Sequence, residues 1–169
     1  MDNNSLTYSA ISISLVLVSF LLFRGAANIV NSITVPIILY INYARNDLKK
    51  YLLMILTLFI LSFLFFFQQL FFIIFYAILG GVLYHSFKRD INFIVRTILF
   101  AITFLLGFVI TINITDIVIG TALRQALAAA AAGSEIGLIF LYLMTSILVA
   151  VTLSFVGYQI DKRFRDNFF

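Results

Sequence analysis

Apolar residues fall in long blocks along this chain, separated by short polar or charged stretches. A block of about 20 residues matches the hydrocarbon thickness of a bilayer, so each block predicts a membrane-spanning helix. The first covers residues 6–23 and stops at Arg24-Gly25; the tail before it has no Lys or Arg and the run lacks a clear cleavage site, which predicts an uncleaved helix and no signal peptide. The second, residues 26–44, contains the only proline, Pro36. In lipid the carbonyl freed near Ser32 can be satisfied by Ser32, Thr34 or a neighbouring helix, so a kink is expected and not a break.

Residues 51–84 then run for 34 positions without Asp, Glu, Lys or Arg. One helix of that length measures about 51 Å against a hydrocarbon core of about 30 Å, so the run must fold back. Gln68-Gln69 is the polar pair near its middle, giving spans 51–67 and 70–86. Asp90 is placed to cap a fifth span, residues 91–113, in which Arg96 snorkels back to the same interface. Residues 117–132 differ: Arg124, Gln125 and seven alanines favour helix but add little hydrophobicity, which predicts an interfacial, re-entrant or tightly packed helix. Gly133-Ser134-Glu135 supplies a stop and a new N-cap before the last span, residues 136–160.

Composition agrees. Of 169 residues 63% are hydrophobic and 11% charged, and the mean hydropathy is +1.14; a soluble domain carries about 25% charge, so the bilayer is the main solvent here. The fold class expected is an all-α integral membrane protein: one membrane domain over residues 1–169, a six-transmembrane-helix bundle with an extra Ala-rich helix between spans five and six. The absence of cysteine and the single His85 remove disulfide, thiolate and multi-histidine metal chemistry. No nucleophile motif accompanies the few carboxylates, so neither an enzyme nor a cofactor is expected.

The net charge of +4 belongs to orientation and not to nucleic acid. With six spans, Arg45, Lys49, Lys50, Lys88, Arg89, Arg96, Lys162, Arg163 and Arg165 share one side, nine of the eleven basic residues, and Arg24 and Arg124 lie opposite. This bias predicts a multi-pass cell-membrane protein with both termini cytoplasmic. A seventh span over residues 117–132 would weaken it.

The polar residues on the other side answer no such rule. Arg24, Asn28 and Asn31 share a helical face, which can meet Asn113, Asp116 and Arg124 if the bundle closes; with Gln69 and Glu135 they are the candidate ligand-binding residues. The competing reading makes them helix caps, headgroup anchors and a wet turn. Small residues recur at four in Ala10-Ser14, Ala77-Gly81 and Ser146-Ala150-Ser154, as faces for internal packing or for docking another membrane subunit. The Phe-rich hairpin, Phe63 to Phe67 with Phe71, Phe72 and Phe75, points all round its helices and is expected to meet mostly lipid.

The layout resembles a known family. Six helices with both termini inside, a proline in the second, a short basic turn into the third and an irregular polar stretch between the fifth and sixth look like the substrate-binding S component of energy-coupling factor transporters. The stretch Val35-Pro36-Ile37-Ile38-Leu39-Tyr40 through Arg45, the Gly80-Gly81 helix ending in Lys88-Arg89 and the helix around Gly107 are similar to YybS-like bacterial membrane proteins, distant S-component relatives. The resemblance implies capture of a vitamin or similar small molecule from outside, near helices four to six, with a transmembrane scaffold docked on small residues of the first helices and two ATPases driving uptake. Ala10 and Ser14 replace the clear alanine repeat of that docking face, and no vitamin-specific motif is matched. The alternative is a non-transporting interaction or scaffold subunit that binds partner proteins or anionic lipid.

Overall fold

A computed structural model describes residues 3–24, 28–131 and 133–168, with side chains from 5 to 163 within those stretches. The expected stop at Gly25, the start of the second span at Ala26, the end of the alanine run at Ala132 and the side chain of Arg165 lie outside the described residues. The described chain is helical almost throughout and contains no strand. Its elements are α1 (Asn3–Leu22), α2 (Ile29–Arg45), α3 (Leu48–Phe65), a 3-10 turn (Phe67–Gln69), α4 (Leu70–Lys88), α5 (Phe93–Ile119), α6 (Leu123–Ala130) and α7 (Glu135–Phe168). Five helical segments among the described residues are long and apolar enough to cross a membrane: α1, α3, α4 with its leading 3-10 turn, α5 and α7. α2 has 17 residues, about 26 Å of helix, and eight of them are buried.

The fold-back of residues 51–84 occurs where the glutamines stand. α3 ends at Phe65, and the 3-10 turn bridges directly into α4. Of the aromatic hairpin, Phe63, Phe65 and Phe67 are exposed as expected, whereas Phe72 and Phe75 are buried against Phe104 and Phe108 of α5. Local chemistry sets the other ends. Asp47 caps α3, accepting from the Lys50 amide at 2.8 Å. The cap of α5 is Asn92, which accepts from the Ile94 amide at 3.0 Å, and not Asp90. Asp90 instead takes a left-handed turn conformation, φ +48°, which a short polar side chain tolerates better than most.

α5 continues six residues beyond its expected end at 113. Asn113 and Thr115 do not interrupt it because each satisfies its side chain within the helix, Asn113 on the Val109 carbonyl and Thr115 on that of Thr111, both at 2.7 Å. The helix stops at Gly120, whose φ of +75° is the left-handed C-cap that glycine adopts without a Cβ penalty. The Ala-rich helix is consequently shorter than 117–132, starting only at Leu123.

Helices α1, α3 and α5 run opposite to α2, α4 and α7. The first two are joined by a polar zipper. Ser5 donates to Asn46 at 2.7 Å, Asn42 donates to Ser12 at 3.1 Å, and Ser19 donates to Asn31 at 2.8 Å. Asn31 also donates to the Phe23 carbonyl, and Asn46 donates to Asn42. All three serines are buried and lie seven residues apart, on one face of α1. α2 in turn presses on α4. A Cβ at Gly80 would stand 3.0 Å from Leu39 Cβ, 3.2 Å from the Pro36 carbonyl oxygen and 3.3 Å from the Tyr40 amide nitrogen, so any larger residue would push the two helices apart by a few tenths of an ångström. α2 passes over Pro36 as one helix. Gly81, the residue expected on the packing face, has nothing within 4 Å of its Cβ position.

Ser146, Ala150 and Ser154 are buried inside the bundle and are not open to a partner, in correction of the docking expectation. Thr97 of α5 donates to Ser154 at 2.9 Å, and Ser146 bonds back to the Leu143 carbonyl of its own helix. Ala10 and Ser14 are exposed on α1, Ser14 bonding only back to the Ala10 carbonyl.

The described basic side chains Arg45, Lys49, Lys50, Lys88, Arg89, Arg96, Lys162 and Arg163 gather at one end, with the start of α1. There Tyr43 stacks on Tyr51 at 4.4 Å and packs at a tilt against Tyr84 at 4.3 Å, Tyr40 donates to Asp161 at 3.0 Å, and the Arg96 guanidinium lies 3.9 Å over the Phe87 ring. Arg24 and Arg124 are at the opposite end, with α6.

Two measurements check this packing. Gly80→Ala is expected to lower stability in detergent by about 1–3 kcal/mol through overpacking, whereas Gly81→Ala leaves it unchanged or raises it by up to about 1 kcal/mol. Asn42→Leu removes the bonds that Asn42 makes to Ser12 and Asn46 and is expected to cost about 0.5–2 kcal/mol in the same unfolding assay.

Candidate functional site

The α6 end is organised around one carboxylate. Asp116, in the last turn of α5, reaches across the Gly120 turn to the start of α6. One oxygen accepts from the Thr121 hydroxyl and from the Leu123 amide at 2.8 Å, the other from the Arg124 amide at 2.9 Å. These satisfy amides that the short helix cannot pair internally, and the negative charge suits the positive end of its dipole. Ser134 stands just before α7, and its hydroxyl accepts from the Gly137 amide at 2.9 Å. With both helices fixed, Arg124 of α6 and Glu135 of α7 pair at 3.1 and 3.3 Å through one guanidinium nitrogen. The pair is 52% and 74% exposed, so it is screened and adds little stability.

Beneath this pair lies a groove of about 400 Å³ between α5, α6 and α7. Its polar lining is Asn113, Arg124, Glu135 and Tyr142; its apolar lining is Leu105, Val109, Leu138, Ile139 and Leu143. Helical register explains the assembly. Leu105, Val109 and Asn113 recur at four along α5, and Glu135, Leu138 and Tyr142 at three and four along α7, so each set forms one face. Tyr142 meets Phe108 edge-on at 6.0 Å, which holds the middle of the groove against the aromatic core.

A second cavity, about 470 Å³, opens at the same end between α1 and the α3–α4 turn, where Arg24, Gln68 and Gln69 face Phe20, Phe65 and Phe66. A third, about 310 Å³, lies between α1 and α3 at the basic end, with Ser5, Ser9, Ala10 and Lys50 on its wall.

The candidate residues thus separate. Asn113, Arg124 and Glu135 line the α6 groove, and Arg24 and Gln69 line the second cavity, which shares no residue with it. Asn28 is consumed in capping α2, accepting from the Val30 amide at 2.8 Å; Asn31 is consumed in the zipper to α1, and Asp116 in capping α6. The expected meeting of the Arg24–Asn28–Asn31 face with Asn113, Asp116 and Arg124 does not occur, because α2 turns its asparagines onto α1 while α5, α6 and α7 close among themselves. Tyr142 was absent from the sequence-derived set. Its signal is its position seven residues after Glu135, two turns along the same face.

Among the described residues no three His, Asp or Glu side chains gather as metal ligands. Comparisons with family models, with curated proteins and with solved structures give no match for the chain.

The cap yields a direct expectation. Asp116→Ala frees two amides and the Thr121 hydroxyl, so α6 should open locally at a cost of about 1–2 kcal/mol. Hydrogen exchange of residues 121–131 should speed up while that of α2 and α4 stays as in the parent chain.

Proposed function

We propose that the chain is a six-crossing membrane protein that captures a small molecule on its α6 side, in the manner of the S component of energy-coupling factor transporters. The observation that carries this reading is the groove of about 400 Å³ on the end remote from the basic cluster, with Asn113, Arg124 and Glu135 at its polar mouth. A few convergent polar groups over an apolar lining are the usual build of a small-molecule site, and 400 Å³ falls in the usual range of about 300–1,000 Å³. The crossings are the five long segments with α2 as the sixth; its 17 residues sit at the lower limit of about 17–25 for a span, and its burial between α1 and α4 relieves it of facing lipid alone. The basic end is cytoplasmic, and with it both termini; the polar mouth of the groove therefore lies at the outer face. α1 offers its exposed Ala10–Ser14 face to a transmembrane scaffold, and ATPases complete the transporter below.

The same exposed α1 face supports a second reading, a non-transporting subunit whose task is to hold a partner in the membrane.

Isolation of the tagged chain from its own membranes in mild detergent separates the two. The transport reading expects a small molecule in the heat-released fraction, at least about tenfold depleted in an Arg124→Ala, Glu135→Ala double variant, together with copurifying ATPase subunits. A partner crosslinked through Ala10 with no released molecule and no ATPase would favour the second reading and end the first.

A further inference from the structure

The α6 groove opens sideways, toward the perimeter of the bundle. Ile139 and Leu143 are 57% and 42% exposed, Leu105 and Val109 are half-buried, and all four lie within the apolar lengths of α5 and α7. From Asn113 down to Leu105 the α5 wall descends about 12 Å at 1.5 Å per residue. Asn113, Arg124 and Glu135 hold the α6 end, Tyr142 sits deeper, and Leu105 and Leu143 line the far part. A polar solute placed here would face hydrocarbon through the open side, and a polar group left against hydrocarbon is costly. An amphiphile would not: its chain lies along the α5–α7 seam in the acyl region and its head stays at the interface.

Charge selects the head. Asp116 has both oxygens committed to the α6 cap, so the charges open to a ligand are the Arg124 guanidinium and the Glu135 carboxylate. Their mutual bond is mostly exposed and easily exchanged. An anionic head alone would take Arg124 and leave Glu135 without its partner; a cationic head alone would do the reverse. A head with both an anion and a primary ammonium satisfies both, the planar guanidinium taking phosphate oxygens and the carboxylate taking N–H donors.

We infer that the groove holds a zwitterionic amphiphile of the phosphoethanolamine class drawn from the adjoining leaflet, its phosphate on Arg124, its ammonium on Glu135 and one acyl chain between α5 and α7. The inference rests on this groove being the binding site and names the ligand class for it.

The test uses the full chain, purified in nonionic detergent, stripped of lipid and titrated in native mass spectrometry with lysophosphatidylethanolamine, lysophosphatidylglycerol and monoacylglycerol of equal chain length. The first should be retained about tenfold better than the other two. Arg124→Gln and Glu135→Gln, both at exposed positions, should each erase that preference, and Val109→Phe or Ile139→Trp, which fill the groove, should lower retention of all three. Equal retention of the three amphiphiles, or a preference untouched in both charge variants, overturns the inference. A water-soluble molecule released from the parent chain and lost in Arg124→Gln, with no amphiphile preference, overturns the lipid class and leaves the groove as a binding site. Amphiphile preference with no copurifying ATPase upholds the ligand class and ends the transport reading alone.

Discussion

A helix surrounded by lipid gains little by burying leucine against another helix, because the acyl chains it leaves are as apolar as the side chains it meets. What holds this bundle together must therefore be hydrogen bonding and close backbone approach, and both are concentrated on α2. On one side the Ser5–Asn46, Ser12–Asn42 and Ser19–Asn31 bonds fasten it to α1. On the other, Gly80 lets α4 close onto the backbone of Pro36 and Tyr40. Interhelical bonds of this kind contribute about 0.6 kcal/mol on average and up to about 1.7, so three of them act by register more than by strength. A one-turn slip of α1 would separate every pair at once. The shortest of the six long helices, continuous through its proline, is thereby fastened on both sides.

That fastening explains how sparse polarity is divided. With 11% charged residues and few amides, most polar groups at the α6 end of the bundle already have a structural task. Asn28, Asn31 and Asp116 hold helix ends or helix pairs, and their removal from the ligand-binding set narrows it to Arg124, Glu135 and Asn113 in one place and Arg24 with Gln69 in another. Arg124 and Glu135 differ from the rest in being paired only across an exposed gap, in a position that Asp116 and Ser134 make rigid. Charged groups that are well placed yet weakly committed are the ones a ligand can recruit.

Much of this was legible in the residues because it followed from lengths. The hairpin at Gln68-Gln69 is forced by the excess of 34 uncharged positions over one membrane thickness, and the segregation of basic residues follows from counting loops. The α5–α6 boundary was not legible: Asn113 and Thr115 look like helix-ending polar residues, and only the structure shows them bonding back to their own helix. The zipper escaped for a different reason. A spacing of seven among Ser5, Ser12 and Ser19 carries meaning only once their asparagine partners, 12 to 41 residues away, are known to lie opposite. Small residues at spacing four drew attention instead, and Ser146, Ala150 and Ser154 proved to be buried within the bundle, Ser154 against Thr97 of α5. Half of the groove was visible as candidate charges; its apolar wall looked like any other lipid-facing surface.

One consequence of the length of α7 is mechanical. Its 34 residues form an uninterrupted helix of about 51 Å, longer than the hydrocarbon core of about 30 Å. Near its first turn Glu135 is tethered to Arg124, and about 39 Å further along the same rod Asp161 is tethered to Tyr40 at the basic end. Neither proline nor a mid-helix glycine with left-handed backbone lies between them to act as a joint. The two carboxylates therefore stand on a single shaft with no hinge between them, one end held at Tyr40 and the other meeting α6 only through an exposed, readily exchanged pair.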